Sequence, residues 1–73
     1  MDEVWNDKAK GMLRAEMTRR GISYKDMADR LAKIGIDEKE ANLRNKVSRG
    51  GFSAAFFVAC LTALGCANLR IED

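Results

Sequence analysis

The sequence has no proline and no histidine, two cysteines, and five aromatic residues among its 73 positions. Without histidine, and without a Cys-x-x-Cys pair, the chain has too few ligands for a zinc site. No metal and no cofactor is expected. General acid–base chemistry would fall to carboxylates alone. The acids Asp26, Asp29, Asp37, Glu38 and Glu40 read instead as helix caps and surface charges. Gly50-Gly51 lacks the spacing of a phosphate-binding loop, so no catalytic residue is assigned and an enzyme is not expected. Trp5 and Tyr24 are too few to build a stacking platform for single-stranded nucleic acid. The first ten residues, MDEVWNDKAK, contain no apolar stretch of the kind a signal peptide needs. Residues 50–69 carry no charge, yet their continuous apolar part, Ala54 to Leu61, falls far short of the roughly 20 residues of a membrane span. A membrane is therefore not an expected partner. Cys60 and Cys66 sit in this apolar stretch and read as small buried hydrophobes, which fits a reducing cytoplasm.

What remains is one small domain. A chain this short buries only about 60% of its unfolded surface. With no proline, the six glycines punctuate it into four helices. The first is predicted from about Val4 to Arg20, with Trp5, Ala9, Met12, Leu13 and Met17 at helical spacing. Asp2, Glu3 and Asp7 at its start, and Arg19 and Arg20 at its end, suit the helix dipole, and Gly21 terminates it. The second starts at Ser23, which has capping-box spacing to Asp26, with Ile22 and Met27 as a hydrophobic staple. Tyr24, Met27, Ala28 and Leu31 form its buried face, and Gly35 ends it. The third is predicted to start at Asp37, with Glu40 as box partner, and to run to Arg49 before Gly50-Gly51. The fourth starts at Ser53, flanked by Phe52 and Phe57 at staple positions, and ends at Gly65. Its apolar members are Phe56, Phe57, Val58, Cys60, Leu61 and Leu64. Ile22, Ile36 and Cys66 follow terminal glycines, as in caps of the Schellman type. Starts, stops and periodicity agree on an all-α, four-helix fold. The tail, NLRIED, decides nothing.

The net charge is only +2, but it is unevenly spread: residues 41–71 hold Arg44, Lys46, Arg49 and Arg70 and no acid. That asymmetry hints at an anionic partner. Gly35-Ile36-Asp37 reads as a short glycine-containing connection of the helix-turn-helix kind. If Leu43 and Val47 point inward, a turn of 100° per residue puts Glu38, Ala41, Asn45 and Ser48 outward, with Asn42 and Arg49 along one edge and Arg44 on the other side. Asn is a weak helix former; in the major groove it can pair with adenine, and Arg with guanine. Equally, the two asparagines could be merely exposed, or bonded locally. Lys25, Arg30 and Lys46 are candidates for phosphate contacts.

The stretches LRAEMTRRGISYKDMADRL, NKVSRG and FFVACLTALGC resemble the repressor-like helix-turn-helix domains of phage and bacterial regulators. RNKVSRGGFSAAFF more closely resembles a family of small bacterial proteins of unassigned function, a likeness that spans Trp5 to Leu69. The resemblance implies a helix-turn-helix with motif helices at about residues 23–34 and 37–49, double-stranded DNA as partner, and a role in transcription regulation. It implies base contacts from Asn42, Asn45 and Arg49, support from Arg44 and Lys46, and phosphate contacts from Ser23, Tyr24 and Lys25. Two-fold dimers are usual for this motif. The acids Asp37, Glu38 and Glu40 depart from that pattern: they suit the helix dipole but would repel phosphates. The alternative is a protein–protein interaction module that kept the fold without DNA binding. For it, the nearly all-apolar fourth helix supplies a homodimer interface at Phe56, Phe57 and Cys60, or else forms the central core.

Overall fold

Three of the helix ends close in the same way. Gly21, Gly35 and Gly65 donate to the carbonyls three residues back at 3.0–3.1 Å, and the next residues, Ile22, Ile36 and Cys66, donate to Met17, Leu31 and Leu61, each at 2.9 Å. These paired bonds are Schellman caps. They turn each following apolar residue back beneath its own helix, where all three pack against the core.

In the computed structural model, which describes residues 3–71, these caps and the serine starts delimit four helices: α1 (Glu3–Arg19), α2 (Tyr24–Lys33), α3 (Glu40–Arg49) and α4 (Ala54–Leu64). No strand occurs among the described residues. Asp2 and the last two residues of the NLRIED tail lie outside them. Helix α1 packs against α3 and α4, and α2 against the same two. The four therefore close a ring in which α1 faces α2, and α3 faces α4, across the diagonals. Leu13 and Met17 of α1, Met27 and Leu31 of α2, Leu43 and Val47 of α3, and Cys60, Ala63 and Leu64 of α4 fill its centre. Ser23 and Ser53 cap α2 and α4 as expected, accepting from the Asp26 and Phe56 N–H groups at 3.1 and 3.0 Å. Asp26 completes the box by accepting from the Ser23 N–H. Phe52 stacks on Phe57 at 5.7 Å, the expected staple at the head of α4.

Several expectations are corrected. Trp5 does not join the core: it is 57% exposed, with the Lys8 ammonium 5.9 Å from its ring. Leu13 and Met17 already fill the inward face of α1, and Trp5 sits too near the helix start to reach past them. Val58 is likewise 59% exposed, because α4 touches only α1 and α2 and leaves one side open. Cys60 is fully buried, and burial pushes its thiol up to about 12, with the nearby Glu38 charge adding to that and Lys46 opposing it. Cys66 packs against the core but is only half-buried, and its Sγ donates to the Asn68 carbonyl at 3.2 Å.

One glycine has a second duty. Gly50, which ends α3 with φ of 71°, is itself buried. A Cβ there would sit 2.9 Å from the carbonyl carbon of Asn6 and closer still to its oxygen. The end of α3 thus rests directly on the first turns of α1. Gly21, by contrast, has open space where its Cβ would be. Near the other end of α1, Glu16 is buried and accepts from both Arg19 and Arg20. Those hydrogen bonds, Arg19 first and Arg20 second, hold its carboxyl below the usual glutamate range, against the opposing effect of desolvation.

Two outcomes follow. Gly21→Ala should cost about 1–2 kcal/mol, the strain of an L-residue in the left-handed region. Gly50→Ala should cost clearly more, because the Asn6 backbone must also move; equal urea midpoints for the two variants would refute the contact. Because the folded pKa of Glu16 lies below its unfolded value, its contribution is complete above about pH 4.3, the unperturbed glutamate value, and fades as pH falls through the lowered one. Urea unfolding between pH 7 and pH 3 should therefore show a smaller loss of stability in Glu16→Gln than in the wild type.

Candidate nucleic-acid interface

Helix α3 owes its position to what precedes it. The cap that ends α2 draws Ile36 inward, and residues 36–39 then run without regular structure to Lys39, which has extended angles. The connection is residues 34–39, not the three residues 35–37 that the glycine suggested. Asp37 does not cap α3. The N-cap is Lys39, which makes no side-chain capping bond, and Glu40 is the first helical residue. The box at Asp37 and Glu40 fails because the chain must first travel from the half-buried Ile36, packed against the core, to the level at which Leu43 can enter it.

Once begun, α3 faces as the periodicity predicts. Leu43 and Val47 are fully buried, and Ala41, Asn42, Asn45, Ser48 and Arg49 are exposed. Asn42, Asn45 and Arg49 make no side-chain hydrogen bond or ion pair with any described residue. Glu38 departs from the prediction. Instead of pointing outward it is tucked in, its side chain only 13% exposed, and it accepts from Lys46 Nζ at 2.8 Å. The Lys46 ammonium also lies 5.2 Å from the centre of the Phe56 ring. Lys46 therefore ties the 34–39 connection and α4 to α3, rather than standing free for phosphate.

On the other flank, Arg44 pairs with Glu40 at 2.9 Å and lies 5.2 Å over the Tyr24 ring. The Tyr24 hydroxyl accepts from Arg14 Nε at 3.2 Å, and a second Arg14 nitrogen donates to Ser48 Oγ at 3.1 Å. Lys10 Nζ donates to the Ser48 carbonyl, also at 3.1 Å. Lys10 and Arg14 are site residues that sequence reading missed. Their i, i+4 spacing puts them on one side of α1, but only the packing of α1 against α3 brings that side to Ser48. Ser23 and Lys25 are exposed at the start of α2; the Ser23 oxygen serves as the cap, and Lys25 makes no ion pair with the described residues. Arg30 is directed elsewhere, donating to the Ala63 carbonyl at 3.2 Å near the end of α4, where a cation suits the helix dipole.

The exposed polar stripe of α3 is thus bordered by cations on both sides. Arg14, Lys10 and Arg44 lie toward α1 and α2, and Lys46 and Arg49 toward α4. The last two line a shallow hollow with Gly51, Phe52, Ser53 and Phe56. The residues suggested for a dimer interface divide differently. Phe56 and Phe57 are half-buried and both pack on Phe52, at 5.6 and 5.7 Å. Cys60 is closed inside the protomer and cannot reach a second subunit. The open side of α4 is instead Ala54, Ala55, Val58 and Thr62. No helix among the described residues is long and apolar enough to cross a membrane.

These features define a four-helix, all-α domain with an exposed, cation-bordered polar helix. Residues 5–69 match the family described as Domain of unknown function (DUF6471), and the chain belongs to that family. No curated protein matches the chain, and no solved structure does.

Proposed function

We propose that the protein binds double-stranded DNA as a small transcriptional regulator, with α2 and α3 acting as a helix-turn-helix and α3 lying in the major groove. The observation that carries this reading is the state of the α3 stripe. Asn42, Asn45 and Arg49 are exposed and uncommitted, and they are side chains that pair in bidentate fashion with adenine and guanine edges. Solvent-facing asparagines lower helix propensity, and neither bonds to another side chain among the described residues. The ten residues of α3 span about 15 Å, enough to lie across a groove about 12 Å wide. Cations on both flanks can face the two phosphate backbones, which position a protein without reading sequence. Arg14 and Lys10 join Ser23, Tyr24 and Lys25 on one side, and Lys46 borders the other beside the base-reading Arg49. Binding of this kind is at home in the cytoplasm of a bacterium.

A second reading, the interaction module, is favoured by one observation: the uncharged open side of α4, where Val58 is 59% exposed. A second copy packed there would form a two-fold dimer. This is compatible with DNA binding, since paired half-sites match paired helices.

Selection from random duplex DNA should enrich a defined motif. Replacing Asn45 and Arg49 together with alanine should abolish that enrichment while leaving helicity unchanged, each lost bidentate contact being worth about 1–3 kcal/mol of discrimination. Retained enrichment in the double variant would remove α3 from the reading. For the second copy, sedimentation should show Val58→Asp as a monomer at concentrations where the wild type is dimeric; identical masses for the two proteins would dismiss the α4 interface.

A further inference from the structure

Resting on the DNA-binding reading above, we propose that Glu38 and Glu40 limit the protein's sequence-independent affinity for duplex DNA by withholding Lys46 and Arg44 from the phosphates. Each of these two cations on α3 is held by its own carboxylate, Lys46 by Glu38 at 2.8 Å and Arg44 by Glu40 at 2.9 Å. Each also rests on a ring, Phe56 and Tyr24 respectively, at 5.2 Å. Both are therefore provided with partners in the absence of DNA. The Glu38 side chain is only 13% exposed, while that of Lys46 is 42% exposed. Glu40 precedes Arg44 by four residues, the more favourable order for a helical ion pair.

The consequence follows from how proteins bind DNA without reading it. Non-specific affinity is supplied essentially by cations that displace counterions from phosphates, each one steepening the dependence of log K on log salt by about 0.9. A carboxylate–cation pair brings no net charge to a phosphate and displaces nothing. The three cations of α3, Arg44, Lys46 and Arg49, would otherwise all be available to the phosphates of any duplex. The base-reading side chains Asn42, Asn45 and Arg49 stand outside both pairs and keep their full effect. The two acids thus lower affinity for all sequences while leaving discrimination between bases intact. Because the weakening is uniform, it limits binding to duplex DNA of any sequence and flattens the salt dependence of that binding.

The test measures binding of wild type, Glu40→Gln, Glu38→Gln and the double variant across a salt series. Two probes are used: a pool of heterogeneous duplex DNA, and the motif enriched by the wild type. Asp29→Asn serves as the charge control, since Asp29 shares a surface hollow with Arg20, Asp26, Arg30 and Lys33 and with no residue of α3. The slope for heterogeneous DNA should steepen by about 0.9 in Glu40→Gln and about 1.8 in the double variant. Affinity for both probes should rise, while the enriched motif and the specific-to-generic ratio stay at their wild-type values. Glu40→Gln alone decides the matter if loss of the half-buried Glu38 pair unfolds the chain. Slopes equal to those of the wild type or of Asp29→Asn overturn the inference and leave the DNA-binding reading intact. If the variants bind heterogeneous DNA more tightly than the wild type but selection with the wild type enriches no motif, the withholding role stands and the sequence-specific reading falls. If no form binds duplex DNA at low salt, both fall.

Discussion

The contact between Gly50 and the Asn6 backbone fixes the relation of the two halves of the molecule. At that point α3 has ended, α1 has just begun, and there is no room for a side chain between them. With the end of α3 resting on α1, Leu43 and Val47 have one direction open to them, toward Leu13 and Met17. The opposite direction becomes the exposed stripe. The same contact brings Lys10 and Arg14 beside Ser48, so the flank of the candidate interface is set by the packing that builds the core. It also leaves only Gly51 and Phe52 before the Ser53 cap, and the short link holds Phe52 where it meets both Phe56 and Phe57.

The cations described above differ in how they are bonded. Arg30, Lys46, Arg19 and Arg20 bind carbonyls or carboxylates within the chain and belong to its architecture. Lys25 and Arg49 make no such bond among the described residues. Arg14, Lys10 and Arg44 stand between these groups, bonded yet bordering an open face. Membership of a family whose description assigns no function places weight on this distinction, since a count of basic residues would treat all of them alike.

Much of the fold was legible because its signals are local. A serine three residues before an aspartate, or a glycine followed by an isoleucine, determines a cap through bonds that span no more than six residues. The inward direction of Leu43 and Val47 needed only the helical period. The start of α3 was not legible. Asp37 and Glu40 carry the pattern of a capping box, but the burial of Ile36 by the preceding cap overrides it, and that burial is a tertiary effect. Glu38 was misplaced for the same reason: its partner Lys46 lies eight residues away, on a helix that begins later than its pattern suggested. Trp5 was assigned inward by periodicity alone, which cannot tell how far along α1 the core extends. Lys10 and Arg14 could not be assigned to the interface before it was known which helix α1 meets. The stripe itself, Asn42, Asn45 and Arg49, was found from spacing; its cationic border on the α1 side was not.

The buried thiol of Cys60 carries a consequence for how the molecule opens. Thiol reagents attack the thiolate, and a group with its pKa raised to about 12, fully buried in the core, offers neither thiolate nor access while the ring is closed. Its modification must wait for the ring to part, whereas Cys66, half-buried at the surface, need not. The chain therefore contains two clocks of the same chemistry, one recording exposure of the tail and the other the rate at which the whole core comes apart.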